Sequence, residues 1–157
     1  MEIRTVNSSD YYVLSPLINN WWGGRRMSDM LPKLFFDHFS DSSFIAEENG
    51  EIIGFLIGFL SQSHLDEAYI HFVGVHPEYR KRSIGKELYH QFFSKVQSEN
   101  RNKVRCVTSP VNKISIAYHT RMGFDIEQGD KIVGGTSVKA DYDGRDQDRV
   151  LFMKELI

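Results

Sequence analysis

Val73-Gly74-Val75-His76-Pro77-Glu78-Tyr79-Arg80-Lys81-Arg82-Ser83-Ile84-Gly85-Lys86 is the stretch on which the fold turns. An apolar run stops at His76-Pro77, three consecutive cations follow, and a helix-period pattern starts at Ser83. The first turn of a helix leaves backbone N–H groups unpaired and carries partial positive charge. Small residues at Ser83 and Gly85 let an anion approach that backbone, and Arg80, Lys81, Arg82 and Lys86 add charge around it. The pattern fits a strand–loop–helix cradle for a diphosphate. On residue chemistry alone, a solvated basic loop capping a helix is the rival reading. Gly85-Lys86 does not complete a P-loop, because its first glycine falls on Arg80 and its Ser/Thr on Glu87. No G-x-G-x-x-G follows a strand-like run, so a dinucleotide fold has no support.

Working outward, Ala68 to Val75 reads as a strand apolar on both faces, as in a central strand covered on two sides. Asn49-Gly50 joins the strand-like runs 43–48 and 51–59, a hairpin signal because both turn residues must tolerate positive φ. Before it come a strand over Glu2–Val6, a helix from Ser8 or Ser9 to about Asn19, and an interruption at Trp21-Trp22-Gly23-Gly24-Arg25-Arg26. A second helix is predicted over 28–39, with Met30, Leu31, Leu34 and Phe35 on one face. After the cradle, Ser83 to about Gln97 forms a helix whose stripe is Ile84, Leu88, Phe92 and Val96. A strand follows at 103–107, then a helix from Asn112 to Met122 stopped by Gly123, and a strand opening at Phe124. Residues 125–149 are poorly patterned and include a long loop; 150–156 closes the chain as a strand. The order β-α-α-β-β-β-α-β-α-β-β implies a mixed, mostly antiparallel, twisted α/β sheet of about six or seven strands with helices on both faces. It contains one strand–helix–strand crossover, over about residues 68–107.

Its 157 residues fit one domain, 1–157, and 41% hydrophobic content supplies a sizeable core. A net charge of −2 gives no reason to expect nucleic acid as a partner. Cys106 is the single cysteine, which excludes an internal disulfide. The start Met1-Glu2-Ile3-Arg4 lacks a leader pattern and the apolar stretch 52–60 is too short to span a bilayer, so no membrane partner and a cytoplasmic location are expected. Asp141, Asp143, Asp146 and Asp148 do not make a calcium loop, since Gly144 falls fourth and Phe152 twelfth. They read as a solvated acidic loop at a rim that attracts a cationic acceptor, and no metal is expected.

At this point the sequence resembles the GNAT superfamily of acyl-CoA N-acyltransferases. Their diphosphate signature, R/Q-x-x-G-x-G/A at the start of the central helix, is matched by Arg80-Lys81-Arg82-Ser83-Ile84-Gly85, with Ser83 in place of the first glycine. A positive φ at that serine carries about 1–2 kcal/mol of strain. Asn112-Lys113-Ile114-Ser115-Ile116-Ala117-Tyr118-His119-Thr120-Arg121-Met122-Gly123-Phe124 is similar to the family's second motif, with His119 at the usual tyrosine position. The resemblance covers roughly residues 40–125. It implies acetyl transfer from acetyl-CoA to a primary amine of a small molecule. The alternatives are a peptide or protein acceptor, or a CoA-binding module without catalysis. A homodimer is common in the superfamily.

The resemblance also assigns residues. Val73 and Val75 would pair with the pantetheine arm, and the Val75 N–H would face the thioester carbonyl as oxyanion donor. Arg80, Lys81, Arg82, Ser83, Ile84, Gly85 and Lys86 would hold the diphosphate, and Asn112, with Ser115 more weakly, would reach the pantetheine. Asn112 is equally a helix cap. A lysine-like amine of pKa about 10.4 costs about 4–5 kcal/mol to deprotonate at pH 7, so a base or a desolvating pocket is needed. His71, placed by period-two counting on one face with Tyr69, Val73 and Val75, is the base candidate. Water-linked Glu67 or Asp66 are alternatives, as is a purely structural histidine. His119 is the candidate proton donor to the thiolate, with Tyr118 turned elsewhere by one helical step, or it packs under the cofactor. Trp21, Trp22, Arg25, Arg26 and Tyr69 are the candidate acceptor wall.

Overall fold

The computed structural model describes all 157 residues. In chain order the elements are β1 (Glu2–Thr5), α1 (Asp10–Trp21), α2 (Leu34–His38), β2 (Phe44–Glu48), β3 (Glu51–Leu60), β4 (Glu67–Val75), α3 (Ile84–Ser98), β5 (Lys103–Thr108), α4 (Lys113–Arg121), β6 (Asp125–Ile126), β7 (Lys131–Val133), β8 (Thr136–Val138) and β9 (Val150–Glu155). Seven strands form one sheet in the order β1-β2-β3-β4-β5-β9-β6. Every neighbouring pair is antiparallel except β4 and β5, which the α3 crossover joins in parallel. The mixed, mostly antiparallel sheet expected from the sequence is therefore present, and Asn49 (φ 52°) and Gly50 (φ 80°) turn its β2–β3 hairpin.

The α3 helix covers one face. Its stripe of Ile84, Leu88, Phe92 and Val96 is buried, widened by Tyr89 and Phe93. Fully burying each such side chain is worth about 1.5–3 kcal/mol. Close approach is possible because β3 presents glycine to the helix: a Cβ on Gly58 would stand 2.5 Å from the Phe92 ring. The opposite face carries a second cluster, in which Leu14, Ile18 and Trp21 of α1 and Phe36 of α2 meet Ile45, Ile52, Phe55 and Ile57.

Three local expectations are corrected. The continuous helix over 28–39 is instead a single tight turn at Ser28–Met30 followed by the short α2. Pro32 excludes helical geometry at the residue before it, and Leu31 lies at φ −132°, ψ 69°. The apolar face changes with it: Leu31 and Phe36 are buried, whereas Met30 and Leu34 are about half exposed. Within the unpatterned 125–149 region, β7 and β8 pair as a hairpin closed by Gly134 (φ 55°) and Gly135 (φ 82°).

The third correction bears on the site. Ile57 pairs with Phe72 but Gly58 pairs with Ile70, so His71 is an extra residue in β4. Such a bulge breaks period-two counting. Tyr69 and His71 share the α2 face, linked through rings: His71 on Phe35 (4.2 Å between centroids), Phe35 on Phe39, Phe39 on Phe59, and Phe59 on Tyr69. Val73 and Val75 pack instead against the α3 cluster. The shared face predicted for all four residues does not exist.

Candidate active site

The site begins where β4 and β5 part. Their parallel pairing has three steps and ends at Tyr69–Arg105, while β5 continues alongside β9 to Thr108. From Ile70 to Val75 one edge of β4 thus has no strand partner. The His76 N–H donates to the Ile53 carbonyl on the β3 side at 2.8 Å. Strand N–H groups alternate in direction, so those of Val75 and Val73 face the open edge.

That edge runs into the start of α3. Lys81 (φ 75°) and Ser83 (φ 60°) are both left-handed, a local geometry that turns successive N–H groups into one concavity. The first α3 backbone bond runs from the Glu87 N–H to the Ser83 carbonyl, and no side chain caps the helix. The N–H groups of Ile84, Gly85 and Lys86 are left open to an anion. The Ile84 side chain is core, so only its amide is offered at this turn.

The four cations divide. Arg80 donates to the Trp21 carbonyl at 3.0 Å, and Arg82 forms a two-pronged pair with Glu48 at 2.8 and 2.6 Å. Both guanidinium groups are engaged by protein. Lys81 and Lys86 make no ion pair and stand exposed beside the concavity.

The second motif reverses the order expected of its two aromatic residues. The Tyr118 hydroxyl is buried without a hydrogen-bond partner, 3.1 Å from where a Cβ on Gly85 would lie. Burial raises its pKa. His119 instead sits in the core, stacked on Phe152 at 4.9 Å. Its Nδ1–H donates to the Ser115 carbonyl at 2.8 Å, so its Nε2 accepts from the Tyr89 hydroxyl at 2.8 Å. Both ring nitrogens are used, and burial lowers its pKa. The helical step that was expected to turn Tyr118 away is the one that brings it to the α3 start. His119 is thus held by Phe152, Tyr89 and Ser115 within the core.

His71 is half-buried, with Nε2–H donating to the Met30 carbonyl at 2.6 Å. A carbonyl only accepts, so this bond fixes the tautomer and leaves Nδ1 as the basic atom. Burial lowers the His71 pKa below its ordinary 6.5 and outweighs the opposing bond to Met30, so the neutral ring dominates at pH 7.

Asn112 caps α4, its Oδ1 accepting from the Ser115 N–H at 3.1 Å, and its amide NH2 has no protein partner. Ser115 is occupied in holding His119. Of the expected acceptor wall, Trp21 is a core side chain stacked on Phe55, with His76 tilted against it. Trp22 is half-buried against Phe72, over Gly74, where a Cβ would lie 2.5 Å from its ring. Arg25 and Arg26 are exposed on the loop, Arg26 in a loose pair with Asp29.

Residues not singled out from the sequence also gather here. Beside Tyr69 a cavity of about 80 Å³ is walled by Arg105, Glu127, Tyr142 and Leu151. No motif marks them; β5 supplies Arg105, β9 supplies Leu151, Glu127 follows β6, and Tyr142 comes from the loop between β8 and β9.

An open strand edge thus leads to an uncapped helix start flanked by exposed cations, with backbone amides that no protein group engages. The chain belongs to the Acetyltransferase (GNAT) family, whose profile matches residues 9–124. It is 26% identical over 86 residues to L-2,4-diaminobutyric acid acetyltransferase of Halalkalibacterium halodurans, a match covering 55% of this chain and 46% of that protein. The chain thus matches about half the length of that relative. In fold it resembles an aminoglycoside 6'-N-acetyltransferase complexed with coenzyme A (TM-score 0.72, 17% identity, 100% of this chain and 98% of that one). It also resembles the ribosomal-protein-S18-alanine N-acetyltransferase of Escherichia coli (TM-score 0.70, 17% identity, 99% and 93%).

Proposed function

We propose that this chain transfers acetyl from acetyl-CoA to a primary amine of a small molecule by direct attack. The observation that carries the reading is the unpartnered β4 edge ending at an uncapped α3 start, with the orphaned Tyr118 hydroxyl beside Gly85. The residues fit the co-substrate. Amides of Ile84, Gly85 and Lys86, with the Lys81 and Lys86 ammonium groups, receive a diphosphate. The Val73 N–H and the Asn112 amide suit the pantetheine arm.

Bound acetyl-CoA supplies the thioester carbon at which the amine attacks. The Val75 N–H donates to the oxygen that gains charge, a contact worth about 3–4 kcal/mol in comparable sites. The Tyr118 hydroxyl, without a competing partner, gives its proton to the departing thiolate. His71 takes the proton released by the amine at Nδ1, while Met30 holds the ring. The C–N bond forms as the C–S bond breaks, and one proton leaves the nucleophile as another reaches sulfur.

A small acceptor is supported by the diaminobutyrate acetyltransferase relative and by Trp22 closing over Gly74. The fold alone is neutral, since neighbours named for aminoglycosides and for a ribosomal protein match it about equally. The test is release of free CoA thiol by purified protein given acetyl-CoA and a panel of small amines and peptides. Release with small amines supports the proposal. Release confined to peptides moves the acceptor class, and acetyl-CoA binding with no release at all leaves a binding module.

A further inference from the structure

Arg80 opens the basic run before α3, yet its guanidinium is spent on helix α1. Its Nη2–H donates to the Trp21 carbonyl at 3.0 Å, across 59 positions of sequence. Trp21 is the last residue of α1, and the final turn of that helix holds no basic side chain. The closing carbonyls of a helix have no partner within it and carry partial negative charge. The N–H groups of Trp22, Gly23 and Gly24 go to Ile18, Asn20 and Asn19, and that of Arg25 goes to Trp22. No backbone donor of the following residues therefore reaches the Trp21 carbonyl, and Arg80 supplies what the chain does not. The turn before Arg80 adds a second hold on the same residue, the His76 ring lying 5.4 Å from the Trp21 ring.

The loop that starts at Trp22 ends at the candidate base. Gly23 and Gly24 are both left-handed, and a Cβ on either would meet nothing within 4 Å, so this bend has no packing of its own. It is held at separate points instead. Trp22 rests on Phe72 and Gly74, and the Asn19 Oδ1 accepts from the Ser28 N–H at 2.9 Å. The Met30 carbonyl accepts from His71. Arg80 and His71 thus grip opposite ends of one segment.

We infer, resting on the acetyltransferase reading above, that Arg80 is a positioning residue for the acceptor side of the site: through the Trp21 carbonyl it fixes the 22–30 loop, and through that loop Trp22 and His71. The diphosphate is left to the amides of the α3 start and to Lys81 and Lys86. Loss of Arg80 then harms use of the amine, whereas loss of a diphosphate ligand harms binding of acetyl-CoA. The two roles separate by experiment.

Trp21 and Trp22 are the two tryptophans of the chain, so indole fluorescence reads this segment. The full chain is compared with Arg80→Met, which removes donor and charge, and with Arg80→Lys, which keeps both. In ligand-free Arg80→Met, acrylamide quenching of the indoles should rise by about twofold as the loop loosens. At saturating acetyl-CoA, kcat/KM for a small amine that the unaltered protein uses should fall about tenfold, as for loss of a charged hydrogen bond. The acetyl-CoA Kd from calorimetry should stay within about twofold, which also shows that the variant is folded. Arg80→Lys should recover most of the quenching and of the amine use. Lys81→Met is the reference for a lost diphosphate contact and should weaken acetyl-CoA binding. An acetyl-CoA Kd raised about tenfold in Arg80→Met, amine use unmoved by it, or quenching unmoved by it would overturn the role and leave the acetyltransferase reading standing. If no amine releases thiol from the unaltered protein, that reading is the one that fails. Quenching and Kd then decide the role of Arg80: raised quenching with an unmoved Kd keeps it as the anchor of the loop, and unmoved quenching removes it.

Discussion

The Tyr118 hydroxyl lies 3.1 Å from the point where a Cβ on Gly85 would stand, and no protein group bonds it. A buried hydroxyl without a partner costs about 1–3 kcal/mol. A protein that keeps such a group gains something from it elsewhere. Tyr118→Phe should therefore separate stability from activity. Urea unfolding is expected to show stability unchanged or raised by about 1 kcal/mol. Amine-dependent thiol release should fall by about 100-fold or more, as for loss of a general acid. Destabilisation together with full activity would remove Tyr118 from the chemistry.

Ser83 holds φ 60°, ψ 21° at the mouth of the same helix. A left-handed non-glycine residue carries about 1–2 kcal/mol of strain, while glycine gives back about 0.4–1 kcal/mol through the unfolded chain. The strain term is the larger, so Ser83→Gly should stabilise by about 0.5–1 kcal/mol. Ser83→Val should destabilise, being β-branched at positive φ. Acetyl-CoA should bind Ser83→Gly at least as tightly, since the opened amides are backbone groups. Calorimetric titration and a denaturation midpoint measure the two effects.

Much of this geometry was legible in the sequence. Asn49-Gly50, the 84–88–92–96 stripe and Gly123 each act through local chemistry, and each appears where expected. The exceptions have physical causes. Pro32 broke the second helix by a rule that the apolar spacing of Met30 and Leu34 masked. The bulge at His71 leaves no trace in composition, because it is defined by pairing with β3. Counting by two across it misplaced Val73 and Val75. Gly134-Gly135 is an ordinary hairpin signal, obscured by short strands with mixed polarity. The Tyr118–His119 order depends on how α4 lies over β6 and β9, a tertiary fact that a motif spacing does not contain.

His71 donates through Nε2 to Met30, and burial holds its pKa below the ordinary 6.5. A base must be neutral to act, so kcat/KM should have an acid limb below pH 6.5 and a plateau above it. Glutamine keeps a donor for the Met30 carbonyl but offers no basic nitrogen. In His71→Gln the rate at pH 7.5 should drop by about 10²–10⁴ and the acid limb should vanish. A retained limb would assign the base to a water-linked carboxylate such as Glu67 or Asp66.

His119 makes a complementary prediction about stability. Its burial between Tyr89, Ser115 and Phe152 lowers its pKa below the unfolded value of 6.5. The unfolded chain thus binds a proton more readily than the folded one. Stability depends on pH with the sign of that difference in bound protons. The neutral ring's full contribution is present above pH 6.5 and is lost as pH falls from there toward the lower folded pKa. His71, also lowered, adds a slope of the same sign. His119→Gln should cost about 1–3 kcal/mol at pH 7.5 by disturbing two core hydrogen bonds, yet it removes one of the two titrations. Urea midpoints of the two proteins should therefore converge as pH drops from 7 to 5, and parallel curves across that window would mean that His119 is protonated equally readily in the folded chain.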